Sequence, residues 1–168
     1  MKEWDTLSFK YGTVALVVSG SQLYRVCFTR SFEEALQEVR RLCPDASRSS
    51  HPLIREVFQQ LQEYFQGNRR TFDVRLDNTE LSCFAQKVHK ALLDVPYGSL
   101  ISYLELARMA GSSGAARAVG RVMSANPFPL IVPCHRVVNA DGCLGQYSGG
   151  FGKETKARLI DLERGLES

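Results

Sequence analysis

Apolar and polar residues alternate along two stretches near the start of the chain. Residues 14–18 and 23–28 are rich in valine, leucine and aromatic side chains, and the short polar segment 19–22 separates them. Two such runs around a tight turn are typical of a β-hairpin. Residues 9–12 mark an earlier strand end or a turn, and residues 72–76 alternate as a further short strand. We therefore predict strands in the first half of the chain.

Helical spacing of apolar residues predicts two helices in the same half. Ser31 and Glu34 lie three residues apart and form a capping box, and the helix that they begin ends near Pro44. A second helix follows Pro52 and ends at Gly67. Its apolar residues keep helical spacing throughout, which is typical of a helix that packs on a core.

The chain becomes more helical part-way along. Residues 77–80 are polar and are predicted to form a linker. We therefore expect an α/β domain over residues 1–77 and a second domain over residues 78–168. The second domain begins with a helix over residues 81–93, which a proline and a glycine-containing turn end.

Two short helices follow. Ser102 begins a helix over residues 103–110 by a capping box with the glutamate three residues later. A second helix, capped by Ser112 or Ser113, is predicted to run to about residue 125. Two short helices around a glycine-bearing turn are typical of a helix-turn-helix, although such pairs also occur in proteins that do not bind DNA.

Small residues give the second of these helices a smooth surface. Arg117 and Arg121 lie four residues apart and share one face, where small neighbours allow close approach to a DNA groove. Close packing between helices is the alternative explanation for the same small residues. They are Ala115, Ala116, Ala118 and Gly120.

Arginines also occur without acidic neighbours in this region. Residues 106–140 contain no Asp or Glu. Such a stretch is expected on a surface that faces phosphates, although chance could also produce it. Its arginines are Arg108, Arg117, Arg121 and Arg136.

A short apolar run precedes the residues with the most reactive chemistry. Residues 130–132 are too few for a helix and are predicted to form a buried strand that leads to Cys134. The glycine-rich residues 141–152 are predicted to form a loop, and residues 154–163 a closing helix.

Composition excludes several classes of protein. The 168 residues include 44% hydrophobic residues, but no apolar run approaches the roughly 18 residues of a membrane span. The first residues lack the features of a secretory signal, so we expect a cytoplasmic protein without a membrane role. The net charge of +3 is by itself only a statement about solubility. Five cysteines without a C-x-x-C pair predict reduced thiols and no zinc site.

Cys134 and His135 form a candidate nucleophile and base. A thiol attacks as the thiolate, and a free cysteine with a pKa near about 8.5 is mostly protonated at neutral pH. Glu163 could orient the imidazole as the third member of a triad does. Adjacent residues on a strand point to opposite sides, so a bridging water or a bend would be needed. Without further context, two core residues are the commoner explanation of such a pair.

Five ordered motifs resemble the O6-alkylguanine-DNA alkyltransferases, also called methylated-DNA–protein-cysteine methyltransferases. Residues 131–138, Ile-Val-Pro-Cys-His-Arg-Val-Val, are similar to the active-site signature of that family. The resemblance extends from about residue 79 to residue 163. The other motifs are residues 95–98 with 101–103, residues 115–120, residues 126–127 and residues 147–150.

The resemblance implies a role for each residue of the reaction. Cys134 would accept the alkyl group, and His135 would act as its base through a water. Glu163 would hold His135, and Asn126 would brace the turn around the site. Tyr103 would crowd the target phosphate and give a proton to the guanine leaving group.

The resemblance also implies how DNA and the damaged base are bound. Arg117 would enter the base stack through the minor groove and fill the space of the flipped nucleotide. The remaining DNA-binding candidates are Ser102, Ala116, Arg121 and Arg136, with Tyr103 beside the phosphate. The pocket that reads guanine would comprise Val137, Tyr147, Ser148 and Gly149.

The implied fold has two parts. The first half would be a small antiparallel sheet with helices in a ribonuclease-H-like arrangement, and the second a mostly helical, winged-helix-like domain. The implied activity is a single, irreversible transfer from O6-alkylguanine, with O4-alkylthymine as a further candidate substrate. No cofactor is implied, and a monomer bound to double-stranded DNA is expected.

Three alternatives stay open at this point. An alkyltransferase-like protein would bind the lesion without an acceptor cysteine, which the presence of Cys134 opposes. A cysteine hydrolase could use Cys134, His135 and Glu163 on an acyl substrate, but it would have no use for the arginine-bearing helix-turn-helix. A plain DNA-binding regulator would leave Cys134 as inert core.

Overall fold

The computed structural model describes residues 1–167, and its contacts divide the chain into two compact units. The first unit comprises Met1–Asp77 together with Ser148–Phe151. The second comprises Asn78–Tyr147 and the C-terminal segment from Gly152. Among the described residues, no helix has both the length and the apolarity that a membrane crossing requires.

The first unit is built on a sheet of strands β1 (Lys2–Phe9), β2 (Gly12–Ser19), β3 (Gln22–Thr29) and β4 (Ser47–Arg48). The strand order is β3-β2-β1-β4, with β1, β2 and β3 antiparallel and the short edge strand β4 parallel to β1. Every residue of β2 except Ser19 is buried. Because successive side chains of a strand point to opposite faces, β2 is covered on both.

Two helices pack on this sheet. Helix α1 (Phe32–Leu42) begins at Ser31, whose side chain accepts a hydrogen bond of 3.3 Å from the backbone N–H of Glu34. Helix α2 (Pro52–Phe65) ends just before Gly67, as predicted. Ala35 and Val39 of α1 belong to one core cluster with Ala15, Val17 and other residues of the strands. Both helices were predicted correctly because their apolar spacing reflects this one-sided burial.

The structure corrects the strand prediction in the first unit. Strand β1 was not predicted, because its partly exposed and charged residues hide the alternation. Residues 72–76 do not form a strand, and only Leu76 makes a single bridge, to Leu23. The backbone N–H of Leu23 donates to Arg75 O at 2.8 Å, and that of Asp77 donates to Leu23 O at 2.9 Å.

The segment Ser148–Phe151 is held at the other end of β3. The backbone N–H of Gly150 donates to Phe28 O at 3.1 Å. Gly12 has φ +142, and a Cβ there would lie 2.6 Å from Thr29 O and 3.2 Å from Gly150 Cα. This close approach of backbones is why a glycine is required at position 12.

The second unit is mostly helical. Its helices are α3 (Cys83–Leu93), α4 (Tyr103–Met109), α5 (Ala116–Ser124) and α6 (Lys153–Glu163). The short strands β5 (Ile101–Ser102) and β6 (Val137–Val138) pair in parallel. Helices α4 and α5 pack against each other, as a helix-turn-helix requires.

The sequence predicted the N-terminal cap of α4 correctly but not that of α5. Ser102 caps α4 as predicted, because its hydroxyl accepts from the N–H of Glu105 at 3.1 Å. Helix α5 instead begins after Ala115, which makes no side-chain cap. The predicted cap at Ser112 or Ser113 is wrong because a turn closes there, with the N–H of Ala115 donating to Ser112 O at 3.0 Å.

Candidate active site

Cys134 lies on a short 3-10 turn, Cys134–Arg136, that leads directly into β6. The predicted strand over residues 130–132 is wrong, because these residues form irregular turns and Leu130 adopts φ +76. Their apolar character reflects burial rather than an extended backbone, and a run of three residues cannot distinguish the two. The turn supplies the bend that a strand would not have provided.

Asn126 braces the turn before the thiol. Its Nδ2 donates to Val132 O at 2.9 Å, and its Oδ1 accepts from the N–H of Phe128 at 2.9 Å. The Cys134 side chain is 9% exposed, and this burial raises the pKa of its thiol. A hydrogen bond with Asn126 and the charge of Lys156 act in the opposite direction. Burial therefore favours the protonated thiol, and Asn126 and Lys156 favour the thiolate.

His135 and Glu163 form a buried pair. His135 Nε2 lies 2.6 Å from Glu163 Oε2, and neither side chain is more than 1% exposed. Burial lowers the pKa of His135, whereas its hydrogen bond with Glu163 raises it. Burial would raise the pKa of Glu163, but hydrogen bonds with His135 and Arg136 hold it well below its usual range. Glu163 is thus a carboxylate, and the imidazole has a fixed orientation.

Arg136 is part of the same network. Its Nε donates to Glu163 Oε1 at 2.8 Å, and its Nη2 donates to Glu163 Oε2 at 3.2 Å. Its Nη1 donates to Val95 O at 2.8 Å, and the residue is only 7% exposed. A buried guanidinium held by Glu163 and Val95 disfavours the DNA contact expected for Arg136 from the sequence. Its place in a basic stretch of sequence could not reveal this burial.

Lys156 is a site residue that the sequence analysis missed. Its side chain is fully buried, and its Nζ donates to Val137 O at 2.7 Å and also to Leu144 O. Burial lowers the pKa of Lys156 to about 8. A usable signal existed in the sequence, because Lys156 precedes Leu159, Ile160 and Glu163 by three, four and seven residues and so shares their face of α6.

Two tyrosines respond to the charge of Cys134. Tyr103, the first residue of α4, is partly buried, and a Cβ on Gly145 would lie 3.2 Å from its hydroxyl. Burial raises the pKa of both Tyr103 and Tyr147, and the charge of a Cys134 thiolate raises them further. Both phenols are therefore proton donors at neutral pH.

The other predicted site residues differ in how far they are exposed to solvent. Arg117 and Arg121 are exposed on α5, with Ala116 and Ser102 partly exposed and Val137 buried. Ser148 is exposed and Gly149 buried in the segment that belongs to the first unit. A Cβ on Gly120 would meet nothing within 4 Å, so close helix packing does not explain that glycine.

Within residues 1–167, no group of three or more His, Cys, Asp and Glu side chains could hold an ion. The five cysteines are free thiols. Burial raises the pKa of Cys27 to about 12, so that thiol is a poor nucleophile at neutral pH.

Comparison with known families accounts for nearly all of the chain. The ribonuclease-like domain of 6-O-methylguanine DNA methyltransferase matches residues 3–78, and the DNA binding domain of the same family matches residues 83–165. The chain belongs to the 6-O-methylguanine DNA methyltransferase family. The resemblance found in the sequence is thereby confirmed.

Relatives of this methyltransferase family share both sequence and fold with the chain. The methylated-DNA–protein-cysteine methyltransferase of Mycobacterium tuberculosis is 39% identical over 165 residues, covering 98% of this chain and 93% of the relative. The constitutive one of Bacillus subtilis is 44% identical over 113 residues, covering 67% of each. The crystal structure of Mycobacterium tuberculosis OGT in complex with DNA has a TM-score of 0.83 at 37% identity and covers 98% of this chain and 94% of that one. The predicted fold class, a small sheet domain followed by a helical domain, is confirmed.

Proposed function

We propose that this protein repairs DNA by direct reversal, moving an alkyl group from the O6 of guanine to Cys134 in one irreversible step. The observation that carries the proposal is the buried thiol of Cys134, which forms a hydrogen bond with Asn126. The next residue, His135, is paired with Glu163 in the interior. Relatives named methylated-DNA–protein-cysteine methyltransferase support the reaction class. A structural relative solved in complex with DNA supports DNA as the partner.

The first chemical step is removal of the thiol proton. His135 accepts the proton of Cys134 through a bridging water, and Glu163 holds the imidazole and balances its charge. Lys156 is a buried cation whose charge lowers the pKa of Cys134, which stabilises the thiolate. Asn126 keeps the turn in place and bonds to the thiol itself.

The second step is displacement at the alkyl carbon. A carbon–sulfur bond forms at Cys134 while the bond from that carbon to guanine O6 breaks. The electron pair of the broken bond goes to guanine, and the Tyr103 hydroxyl donates a proton to it. His135 then returns its proton to Tyr103 through solvent, so the charges balance. The thioether neither hydrolyses nor exchanges, and each molecule therefore acts once.

The base must leave the helix before it can reach a buried thiol. Extrusion of a nucleotide costs about a few kcal/mol in lost stacking and pairing. We propose that Arg117 enters the stack from the minor groove and offsets part of this cost. Ala116 and Gly120 allow the close approach of α5, while Ser102 and Arg121 contact the backbone.

We propose that the extruded guanine is read mainly by backbone groups. The carbonyls of Cys134 and Val137 accept from its amino group, and Tyr147 supplies a donor. Val137 O already accepts a hydrogen bond from Lys156. A carbonyl has two lone pairs, so Val137 O can accept a second hydrogen bond from the base.

The proposal also covers the domains, the oligomeric state and the cellular compartment of the protein. Residues 1–77 would form an α/β domain, and residues 78–168 the domain that binds DNA and accepts the alkyl group. All the proton-transfer residues lie in one chain, so a monomer suffices. Free thiols fit a reducing compartment such as the cytoplasm.

The alternatives are not favoured. A lesion-binding protein without transfer activity would have no use for the ordered contacts around Cys134. A cysteine hydrolase would need to release its acyl group to water, and the matched family performs alkyl transfer instead. Neither explains the thiol and the exposed arginines of α5 together.

The decisive experiment weighs the intact protein after incubation with duplex DNA that carries O6-methylguanine. We expect the mass of one methyl group to be added to the wild-type protein and to Cys143→Ser, which removes an exposed thiol. No mass should be added to Cys134→Ser. A folded, reduced wild-type protein that gains nothing would disprove the function, and a gain that survives Cys134→Ser would disprove the acceptor.

A further inference from the structure

The carboxylate of Glu163 accepts hydrogen bonds from three residues at once. His135 bonds to Oε2 at 2.6 Å, and Arg136 bonds to both oxygens at 2.8 and 3.2 Å. The backbone N–H of Gly98 donates to Oε1 at 3.1 Å. Because Glu163 has its oxygens occupied from several directions, it cannot turn away from His135.

Arg136 connects this carboxylate to the turn before β5. Its third donor bonds to Val95 O at 2.8 Å, and its guanidinium lies 5.8 Å from the centroid of the Tyr97 ring. Gly98, in the same turn, has φ +81 and returns a hydrogen bond to Glu163. The contacts therefore form a closed ring of residues that fixes the position of the carboxylate.

We propose that Arg136 is a positioning residue of the alkyl transfer, which orients Glu163 and offsets its charge so that His135 stays neutral and can accept the Cys134 proton. The inference rests on the function proposed above. It replaces the DNA contact expected for Arg136 from the sequence.

The charges around His135 explain why an offset is needed. A single buried carboxylate 2.6 Å from the imidazole would favour the imidazolium, and a protonated His135 could not act as a base. Burial is the largest cause that lowers the pKa of His135. Arg136, on the same turn, and Lys156, on α6, add to it and oppose Glu163, also on α6. The Cys134 thiol on the turn and the Tyr147 phenol are the other titratable groups that interact with this set, so two cations face one carboxylate, one thiol and one phenol. The resting state is then a thiol and a neutral imidazole.

A purely structural role for Arg136 makes a different prediction. If Arg136 only held the fold together, its loss would reduce the rate by the same factor at every pH. If it offsets the charge of Glu163, its loss should move the acidic limb of the pH–rate profile. The pH dependence of the rate is therefore the informative measurement, with the free base O6-benzylguanine as substrate so that DNA binding does not contribute.

The experiment compares single-turnover rates from pH 5.5 to 8.5. In Arg136→Met we expect the limb to move upward, so that the rate falls more between pH 8 and pH 6 than in the wild type, by up to about tenfold for each unit of pKa. Arg136→Lys keeps the charge but not the fork of donors, so it should be slower with the limb unmoved. Arg136→Met with Glu163→Gln removes both charges and should return the limb toward its original position.

Arg158→Met is the matched control. Arg158 also pairs with a carboxylate, Glu167 at 3.0 Å, but it is more exposed and lies outside the network. It should keep the wild-type profile. Equal losses at all pH values in Arg136→Met, or an unmoved limb, would overturn the proposal.

Removal of a buried partner can unfold a protein, so a second measurement uses the wild type. NMR of protein labelled with ¹⁵N at histidine should show His135, assigned by its loss in His135→Gln, as a neutral imidazole at pH 7. An imidazolium there would overturn the role of Arg136 even if benzyl transfer to Cys134 proceeds. A protein with a neutral His135 but no transfer would instead contradict the proposed function.

Discussion

Lys156 Nζ lies 2.7 Å from the carbonyl oxygen of Val137, and both residues are fully buried. A buried ammonium group needs partners, and here they are the carbonyls of Val137 and Leu144. The same charge lowers the pKa of Cys134. Lys156 thus favours the thiolate of Cys134 and also donates a hydrogen bond to the carbonyl of Val137, which is proposed to bind guanine.

Lys156→Met should therefore slow alkyl transfer at least tenfold at neutral pH. The loss of the cation raises the pKa of Cys134, and the loss of the donor removes a hydrogen bond from Val137 O. The rate with free O6-benzylguanine, measured against pH, checks both effects. Lys153→Met, at an exposed position of the same helix, is the control and should react as the wild type does. An unchanged rate in Lys156→Met would show that the buried cation does not assist the thiolate.

Arg117→Ala should separate DNA handling from chemistry. Arg117 is exposed on α5 and outside the Cys134 network, so its loss should slow repair of duplex O6-methylguanine about tenfold or more. Reaction with the free base should change less than twofold, because no base needs to be extruded. Arg40→Ala removes an exposed arginine from α1, far from this stretch of the sequence, and is the charge-matched control that should repair duplex DNA as the wild type does. Equal losses on both substrates would remove the proposed role in base flipping.

Tyr103→Phe should leave the fold intact and slow transfer from DNA. The hydroxyl is partly buried, and burial followed by the charge of Cys134 raises its pKa, so it remains a proton donor throughout the neutral range. Its loss should cost roughly a factor of ten to a hundred in the single-turnover rate, as removal of a general acid does. Circular dichroism and thermal unfolding establish that the variant folds. A rate equal to that of the wild type would mean that solvent protonates the guanine.

His89 predicts how stability depends on pH. It is 5% exposed on α3, and burial lowers its pKa from 6.5 to about 4. Between these values the unfolded chain binds a proton that the folded protein does not, so stability is lost as pH falls through this window. Relative to pH 7.5, His89→Leu should lose about 2 kcal/mol less stability at pH 4.5 than the wild type.

Urea unfolding at the two pH values measures this difference. Val88→Ala, at a fully buried neighbouring position, should lower stability equally at both pH values because it carries no titratable group. If His89→Leu and the wild type lose the same stability on acidification, another group controls the acid transition.

Sequence patterns were enough to predict elements that bury one face or depend on residues close together in the chain. Helices α1 and α2 follow from apolar residues at helical spacing, and the cap of α4 follows from Ser102 and Glu105. The family followed from ordered motifs, because the chemistry of the site constrains residue types at fixed positions. The sequence therefore determined the class of fold, the candidate acceptor Cys134 and its two proton-transfer partners.

Only the tertiary structure decided how these residues are connected. Residues 130–132 are apolar because they are buried, but they form turns rather than a strand, and Asn126 donates a hydrogen bond to Val132 O and accepts one from the N–H of Phe128. Arg136 and Lys156 look like surface cations in the sequence and prove to be buried, because their partners Glu163, Val95 and Val137 are distant along the chain. The charge state of a buried group depends on such distant neighbours, which no local pattern encodes.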